Sequence, residues 1–178
     1  MRISLLSATA LATVGVMIAL GLGGLTTSAS EEAIVGQATV IDGDTIEVQR
    51  VRIRLAAIDA PESDQLCNDA AGKLYRCGQT ASFALADLIG RSHISCRTEL
   101  DRSGAPQTSY NRTIATCALN GVDLGAWMVE HGWAVPYWRY GGARYRTAYE
   151  LSRAKRSGVW AGEFEEPSQF RARKRSAN

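Results

Sequence analysis

The chain has 178 residues, of which 46% are hydrophobic and 21% are charged, and it has 17 glycines but only 4 prolines. This composition excludes a disordered, collagen-like or low-complexity protein, and the length suits one folded domain. The formal net charge of +2 is too small for nucleic-acid binding through bulk charge, so any polyanion must be bound by a local patch.

The N-terminal segment has the composition of a targeting signal. Arg2 is its only charged residue, the run from 5 to 25 is largely apolar, and small residues follow. This pattern predicts a secretory signal peptide cleaved after Ser30. An uncleaved membrane anchor is the alternative, because about 20 apolar residues can span a bilayer. We therefore expect residues 31–178 to work outside the cytoplasm, in the periplasm or as a secreted protein.

Cysteine usage agrees with export. The four cysteines of the chain all lie beyond the targeting segment, at Cys67, Cys77, Cys96 and Cys117. They fit two disulfides in an oxidising compartment, with three possible pairings by count alone. A zinc site is the competing interpretation, but the sequence lacks the close C-x-x-C or histidine spacings that zinc requires.

Alternating apolar residues predict three strands at the start of the domain, over residues 35–41, 45–49 and 51–58. The Asp42-Gly43 pair between the first two marks a turn or bulge. In the third strand the apolar residues share one face, so Arg50, Arg52 and Arg54 are expected together on the exposed face.

The remaining predicted elements are a helix, two strands and two helices, over residues 79–89, 93–99, 113–119, 124–131 and 145–157. If the two strands pair as antiparallel neighbours about the middle of the loop that joins them, Cys96 lies opposite Cys117. That register predicts a cross-strand disulfide between these two and leaves Cys67 to pair with Cys77.

The predicted order is three strands, a helix, two strands and then helices. This order is typical of a mainly β protein with α-helices, namely a five-stranded barrel of the oligonucleotide-binding (OB) type with about three helices. An open antiparallel sheet with helices on one face would give the same order. We expect the domain to cover residues 31–165, followed by a basic C-terminal tail, 166–178, in which the basic run 171–175 is a solvated end.

Two acidic clusters end neighbouring strands, with Arg54 between them. They are Asp42-Gly43-Asp44-Thr45 and Asp59-Ala60-Pro61-Glu62. Their convergence predicts a site for a hard divalent cation, because calcium is bound by carboxylate and carbonyl oxygens. Each piece also has a simpler interpretation: a turn, a helix start with a capping box, and a solvated arginine. These simpler interpretations do not predict all three within 21 residues, followed by Tyr110-Asn111-Arg112 before a strand.

With these motifs the sequence resembles staphylococcal nuclease and the thermonuclease-like family, and the similarity in element order runs from about residue 35 to 160. The resemblance implies a calcium-dependent phosphodiesterase on an OB barrel. It implies that Asp44 and Asp59 bind Ca²⁺ through their carboxylates and Ala60 through its carbonyl. Family members often have threonine in place of Ala60, a change that a main-chain ligand survives.

The resemblance also implies roles around the scissile phosphate. Glu62 would position or deprotonate the attacking water, Arg54 and Arg112 would hold the phosphate, and Tyr110 would line its pocket. Asn111 stands where glycine is common in the family, but asparagine tolerates a left-handed backbone, so the turn is still expected to form.

Aromatic and basic residues alternate over residues 133–149. Such a pattern suits single-stranded nucleic acid, because bases stack on aromatic faces while cations pair with phosphates. About half of these rings are expected in the core. Trp138 and Tyr140 are the expected exposed, substrate-binding members.

The sequence therefore predicts an exported, monomeric, calcium-dependent nuclease that cleaves DNA, with RNA as a second candidate, in single-stranded regions. One alternative is a non-catalytic OB-fold module that binds nucleic acid or protein, although a binder has no need for three clustered acids. Another is a calcium-dependent adhesion or structural domain at the cell surface, which would tolerate loss of Arg54 and Arg112.

Overall fold

The structure, a computed structural model, describes residues 33–177. The strands are β1 Ile34–Val40, β2 Thr45–Val48, β3 Val51–Leu55, β4 Ile58–Asp59, β5 Cys67–Asn68, β6 Leu74–Tyr75, β7 His93–Thr98, β8 Thr108–Ser109, β9 Arg112–Leu119, β10 Val122–Asp123 and β11 Val135–Pro136. The helices are α1 Cys77–Ile89, α2 Leu124–Glu130, α3 Arg146–Lys155 and α4 Pro167–Ser176, with short 3₁₀ turns at Trp138–Tyr140, Gly142–Tyr145 and Gly158–Ala161.

Five strands close into a barrel. β1 pairs antiparallel with β2 on one side and with β7 on the other, and β2 pairs antiparallel with β3. β9 pairs parallel with β3 and antiparallel with β7, which completes the ring. The OB-type barrel is thereby confirmed, and the open sheet is wrong, because the parallel pairing of β3 with β9 removes both free edges.

The barrel interior follows from the alternation of the strands, and two helices pack against the same core. Ile46, Ile53 and Ile94 are fully buried inside it. The apolar face of α1, including Leu85, and that of α2, including Met128, pack into the same core. Burying each such side chain stabilises the fold by about 1.5–3 kcal/mol.

The third strand ends earlier than its pattern predicts. β3 stops at Leu55, and Ala57 has a positive φ of 64°, so the chain turns before it resumes in β4. The apolar alternation runs on through this turn and therefore hides it. β4 then pairs with β11 instead of extending β3, with Asp59 opposite Val135. The break thus places Asp59 on a separate short strand at one end of the barrel.

Both predicted disulfides are present. Cys96 and Cys117 are opposite residues of β7 and β9, with Cα atoms 4.0 Å apart. Cys67 and Cys77 join the β5–β6 hairpin to the start of α1 across 5.6 Å. The register inferred from the loop midpoint is thereby confirmed.

Within the C-terminal tail, residues 167–176 form helix α4, in which residues 172–176 are exposed. Pro167 occupies its first turn, where the missing N–H costs nothing. Pro167 and Phe170 are both buried. Among residues 33–177 no helix is long and apolar enough to cross a bilayer. The predicted signal peptide or anchor lies outside the described residues.

Candidate active site

One end of the barrel carries an open cavity of about 450 Å³. It lies where the two acidic clusters, the β8–β9 hairpin and helix α4 meet. The side chains that line it and are used below are those of Asp42, Asp44, Arg54, Glu62, Tyr110, Arg112, Tyr137, Arg171 and Arg175. The structure therefore brings together most of the residues that the sequence predicts for the site.

Arg54 links the two acidic clusters. Its Nη1 donates to Asp44 Oδ1 at 2.8 Å, and its Nη2 donates to Asp59 Oδ1 at 3.0 Å. Its side chain is only 13% exposed, so the expected solvated strand face is wrong at this position. Arg52 does lie exposed on that face, whereas Arg50 lies in the two-residue β2–β3 turn. The planar guanidinium fork holds both carboxylates in fixed positions.

Asp44 is a buried acid whose ionised form is poorly solvated. Burial raises its pKa to about 6, against an opposing effect from Arg54, and the nearby Asp42 and Asp59 raise it further. Burial lowers the pKa of Arg54, but the carboxylates of Asp44 and Asp59 raise it by more, so this guanidinium stays charged. Such a cluster favours the binding of a further cation.

Close approach of two loops explains the glycine of the first cluster. A Cβ on Gly43 would lie 2.7 Å from the Cβ of Ala60, so only glycine allows this contact. The Asp42 side chain accepts from the Asp44 amide at 2.9 Å, so the predicted turn also exists. The Ala60 amide in turn donates to Asp44 Oδ2 at 3.3 Å.

Glu62 lies in a loop, so the capping-box interpretation of the second cluster is wrong. The next helix, α1, begins only at Cys77. The Gln65 side chain accepts from the Glu62 amide at 3.2 Å, and Gly78 packs directly against the Glu62 carbonyl. The carboxylate itself is 37% exposed and faces the cavity.

The β8–β9 hairpin supplies Arg112 and Tyr110. Tyr110 and Asn111 have positive φ values of 50° and 60°, which a two-residue type I′ turn requires, so the turn forms without glycine. Arg112 Nη1 donates to Thr45 Oγ1 at 3.0 Å, which aims the guanidinium at the cavity. Tyr110 is 93% exposed at the rim.

Trp138 and Tyr140 are both exposed, as the sequence predicts, but they lie in different places. Trp138 packs edge-on against Tyr149, with ring centroids 5.4 Å apart, and does not line the cavity. Tyr140 lines a neighbouring cavity of about 540 Å³ together with Tyr110 and Tyr137. Tyr137 was not predicted, yet it lines both cavities and its ring centroid lies 5.9 Å from Arg54 Cζ. The pairing of β11 with β4, which brings Tyr137 here, has no local sequence signal.

Arg171 of α4 is the second residue that the sequence analysis missed. Its two Nη atoms donate to the two Asp59 oxygens at 3.0 and 2.8 Å, and Nη1 also donates to Glu62 Oε1 at 2.8 Å. The hydrogen bond to Asp59 raises the pKa of Arg171 above its usual range, burial opposes this, and Glu62 adds to it. In the sequence this arginine is one of several in a basic run and carries no mark of its role.

The donor set fits a hard cation. Asp44 and Asp59 offer carboxylate oxygens, and the Ala60 carbonyl belongs to the same loop. Burial raises the pKa of Asp44, so its ionised carboxylate lacks the solvation that a divalent ion would replace. No group of three or more acids, histidines or cysteines in metal-binding proximity is present within residues 33–177, so the two carboxylates would need the carbonyl and water as further ligands.

The sequence is similar to a known family and to several known proteins. The family model described as staphylococcal nuclease homologue matches residues 52–162. Succinoglycan biosynthesis protein ExoI of Rhizobium meliloti is 37% identical over 130 residues, which cover 72% of this chain and 65% of that protein. The chain therefore spans just under two thirds of the length of this relative.

Two relatives have nuclease names. A micrococcal nuclease of Shigella flexneri is 34% identical over 156 residues, covering 78% of this chain and 80% of that protein. An uncharacterized endonuclease of Haemophilus influenzae is 32% identical over 139 residues, covering 74% of this chain and 69% of that protein. The matched family segment contains Arg54, Glu62 and Arg112, which line the cavity, and Asp59, which is bonded to Arg54. The chain belongs to the staphylococcal nuclease family.

Proposed function

We propose that this protein is an exported, calcium-dependent nuclease that hydrolyses phosphodiester bonds of DNA, and also of RNA, at single-stranded regions. The observation that carries the proposal is that Asp44, Glu62, Arg54 and Arg112 line one cavity, with the buried Asp59 bonded to Arg54 behind it. Clustered acids alone would repel a polyanion, and arginines alone would only bind it. Together they provide for both binding and cleavage.

The two arginines would stabilise the transition state. In-line attack on a phosphodiester builds negative charge on the non-bridging oxygens, and guanidinium groups donate to such oxygens in pairs. Arg54 is already oriented by two carboxylates, and Arg112 by Thr45. Because both are held before substrate arrives, little reorganisation is needed during the reaction.

Glu62 would act on the attacking water. Its carboxylate faces the cavity and remains partly accessible, so a water can lie between it and a bound phosphate. General-base help of this kind contributes about a hundredfold to ten-thousandfold. A calcium ion held by Asp44, Asp59 and the Ala60 carbonyl would supply Lewis-acid polarisation of the phosphate.

Export and substrate preference rest on separate features. Two disulfides are typical of an oxidising compartment, which supports a periplasmic or secreted location. The targeting segment before residue 31 would be cleaved or would serve as a membrane anchor. Exposed Tyr110 and Tyr140 beside the cavity favour unpaired bases, because stacking needs a free base face. We propose that the protein acts as a monomer.

The direct test is cleavage by the purified protein of plasmid, single-stranded DNA and RNA, with calcium and then with chelator. We expect cleavage only with calcium, and faster on single strands. Binding without cleavage would favour the OB-fold binding module, and calcium binding without affinity for nucleic acid would favour the adhesion domain.

Two variants test the mechanism. Glu62→Gln and Arg54→Ala should each lower turnover at least about a hundredfold while the protein stays folded, because both act on the transition state. Arg52→Ala is the matched control, since this exposed neighbour on the same strand lies 3.9 Å from Glu47 and outside the cavity. Full activity of either site variant would contradict the mechanism.

A further inference from the structure

Helix α4 presents one face to the candidate active site. Ser168, Arg171 and Arg175 follow each other at spacings of three and four residues, which places them on the same side of a helix, and all three line the cavity. This helix lies beyond residues 52–162, the segment that the family match covers. The cavity wall therefore includes an element that the family match does not account for.

The other sides of α4 fix its position. Phe170 is only 8% exposed and packs against the domain. Lys174 pairs with Asp64 of the domain at 2.6 Å, whereas Arg173 pairs at 2.8 Å with Glu165 of its own segment and does not connect the helix to the domain. The start of α4 is held to the domain by the buried Pro167 and Phe170 and by the Gln65 side chain, which donates to the Glu165 carbonyl at 2.6 Å. Arg171 follows Phe170 directly, so this anchoring places it beside the cavity.

The contacts of Arg171 join two residues with different proposed roles. Its Nη1 donates both to Asp59 Oδ1 at 3.0 Å and to Glu62 Oε1 at 2.8 Å, while its Nη2 donates to Asp59 Oδ2. Among residues 33–177, Arg171 is the only hydrogen-bond partner of the Glu62 carboxylate. A lysine could not make all three bonds, because only the planar fork spans two carboxylates.

We propose that Arg171 is a positioning residue of the active site, which fixes the carboxylate of Glu62 relative to Asp59. This inference rests on the proposed function. Without Arg171, Glu62 would sample rotamers on a flexible side chain, and its water would lose the geometry that in-line attack requires. A misplacement of about 1 Å can lower turnover about a hundredfold.

The same geometry has an opposite consequence for calcium. Arg171 is a cation that occupies both oxygens of Asp59, so it competes with and repels a second cation at this acid. Its removal should therefore tighten calcium binding while it slows cleavage. A residue that merely stabilised the fold would weaken both together, so the two measurements separate positioning from packing.

The experiment compares the full-length wild type with Arg171→Gln, Arg171→Lys and Arg173→Gln. Cleavage of a single-stranded oligonucleotide gives kcat and KM, and calorimetric titration with calcium alone gives its Kd. For Arg171→Gln we expect kcat to fall about thirtyfold to a hundredfold, with KM changed less than about threefold. We expect its calcium Kd to fall severalfold. Arg171→Lys should recover a small part of kcat, and Arg173→Gln should match the wild type.

A wild-type kcat in Arg171→Gln would overturn the inference, as would faster cleavage, because the arginine would then obstruct the site. Weaker calcium binding by the folded variant would also overturn it. If Arg171→Gln does not fold, Phe170→Ala decides: loosening α4 with Arg171 intact should lower kcat by a similar factor, and an unchanged kcat would refute the positioning role. Should the wild type itself fail to cleave, the proposed function fails, and the calcium titrations still test whether Arg171 competes at Asp59.

Discussion

Replacing Asp44 by asparagine should stabilise the calcium-free protein at neutral pH, although it removes a candidate metal ligand. Asp44 is 5% exposed, and burial raises its pKa from an ordinary 3.8 to about 6. The ionised form is therefore less favourable in the folded state than in the unfolded state. At about 1.4 kcal/mol per pKa unit, the difference amounts to roughly 3 kcal/mol.

The effect has a defined pH window. Because the folded-state pKa lies above the unfolded value, the folded protein binds this proton more tightly. The stability that protonation confers is fully present below about pH 4 and is lost as the pH rises through about 6. An asparagine has no proton to lose. The variant should therefore equal the wild type near pH 4 and exceed it by roughly 3 kcal/mol at pH 8.

Urea unfolding followed by tryptophan fluorescence, in chelator at pH 4 and pH 8, measures the free energy of unfolding of both proteins. Asp87→Asn is the control, because this acid is exposed on α1 and its replacement should change stability by less than about 0.5 kcal/mol. Calcium should stabilise the wild type and not Asp44→Asn. A variant that is less stable at pH 8, or equally stabilised at both pH values, would refute the reasoning.

Two further substitutions test packing around the site. Gly78→Ala should lower the free energy of unfolding by about 1–3 kcal/mol and also lower kcat, because the new Cβ would overlap the Glu62 carbonyl and shift that loop. Urea denaturation and cleavage assays measure the two effects, and an unchanged kcat would contradict the packing. Tyr145→Phe should lower the free energy of unfolding in urea by about 1–3 kcal/mol, because the hydroxyl donates at 2.9 Å to Asp123, the N-cap of α2. Neither residue lines the cavity, so kcat should be unchanged, and a loss of kcat would place α2 in the site.

The barrel could be predicted because its signals are local. Period-two alternation identifies the strands, and the positions of Cys96 and Cys117 in one antiparallel register identify their pairing. The break after Leu55 could not be predicted, because alanine and isoleucine continue the apolar pattern through the turn. The parallel pairing that closes the barrel joins strands about 60 residues apart, and nothing in either strand specifies its partner.

The candidate site also has a part that could be predicted from a local motif and a part that could not. Asp44, Arg54, Asp59 and Glu62 lie within one short segment, so their spacing could be recognised as a motif. Arg171 reaches Asp59 across 112 residues of chain. Its helix is held by few apolar residues, so the hydrophobic pattern that identifies most helices is weak there.

The two metal-binding candidates are not equivalent. A carboxylate has about four lone-pair positions, and Asp59 uses three of them for two guanidinium groups. Asp44 receives one bond from Arg54, one from the Thr45 hydroxyl and a longer one from a backbone amide. Asp44 therefore has one guanidinium partner, whereas Asp59 has two. Replacing Asp44 with a neutral residue removes a charge that burial disfavours. The same change at Asp59 would leave two arginines without their common partner.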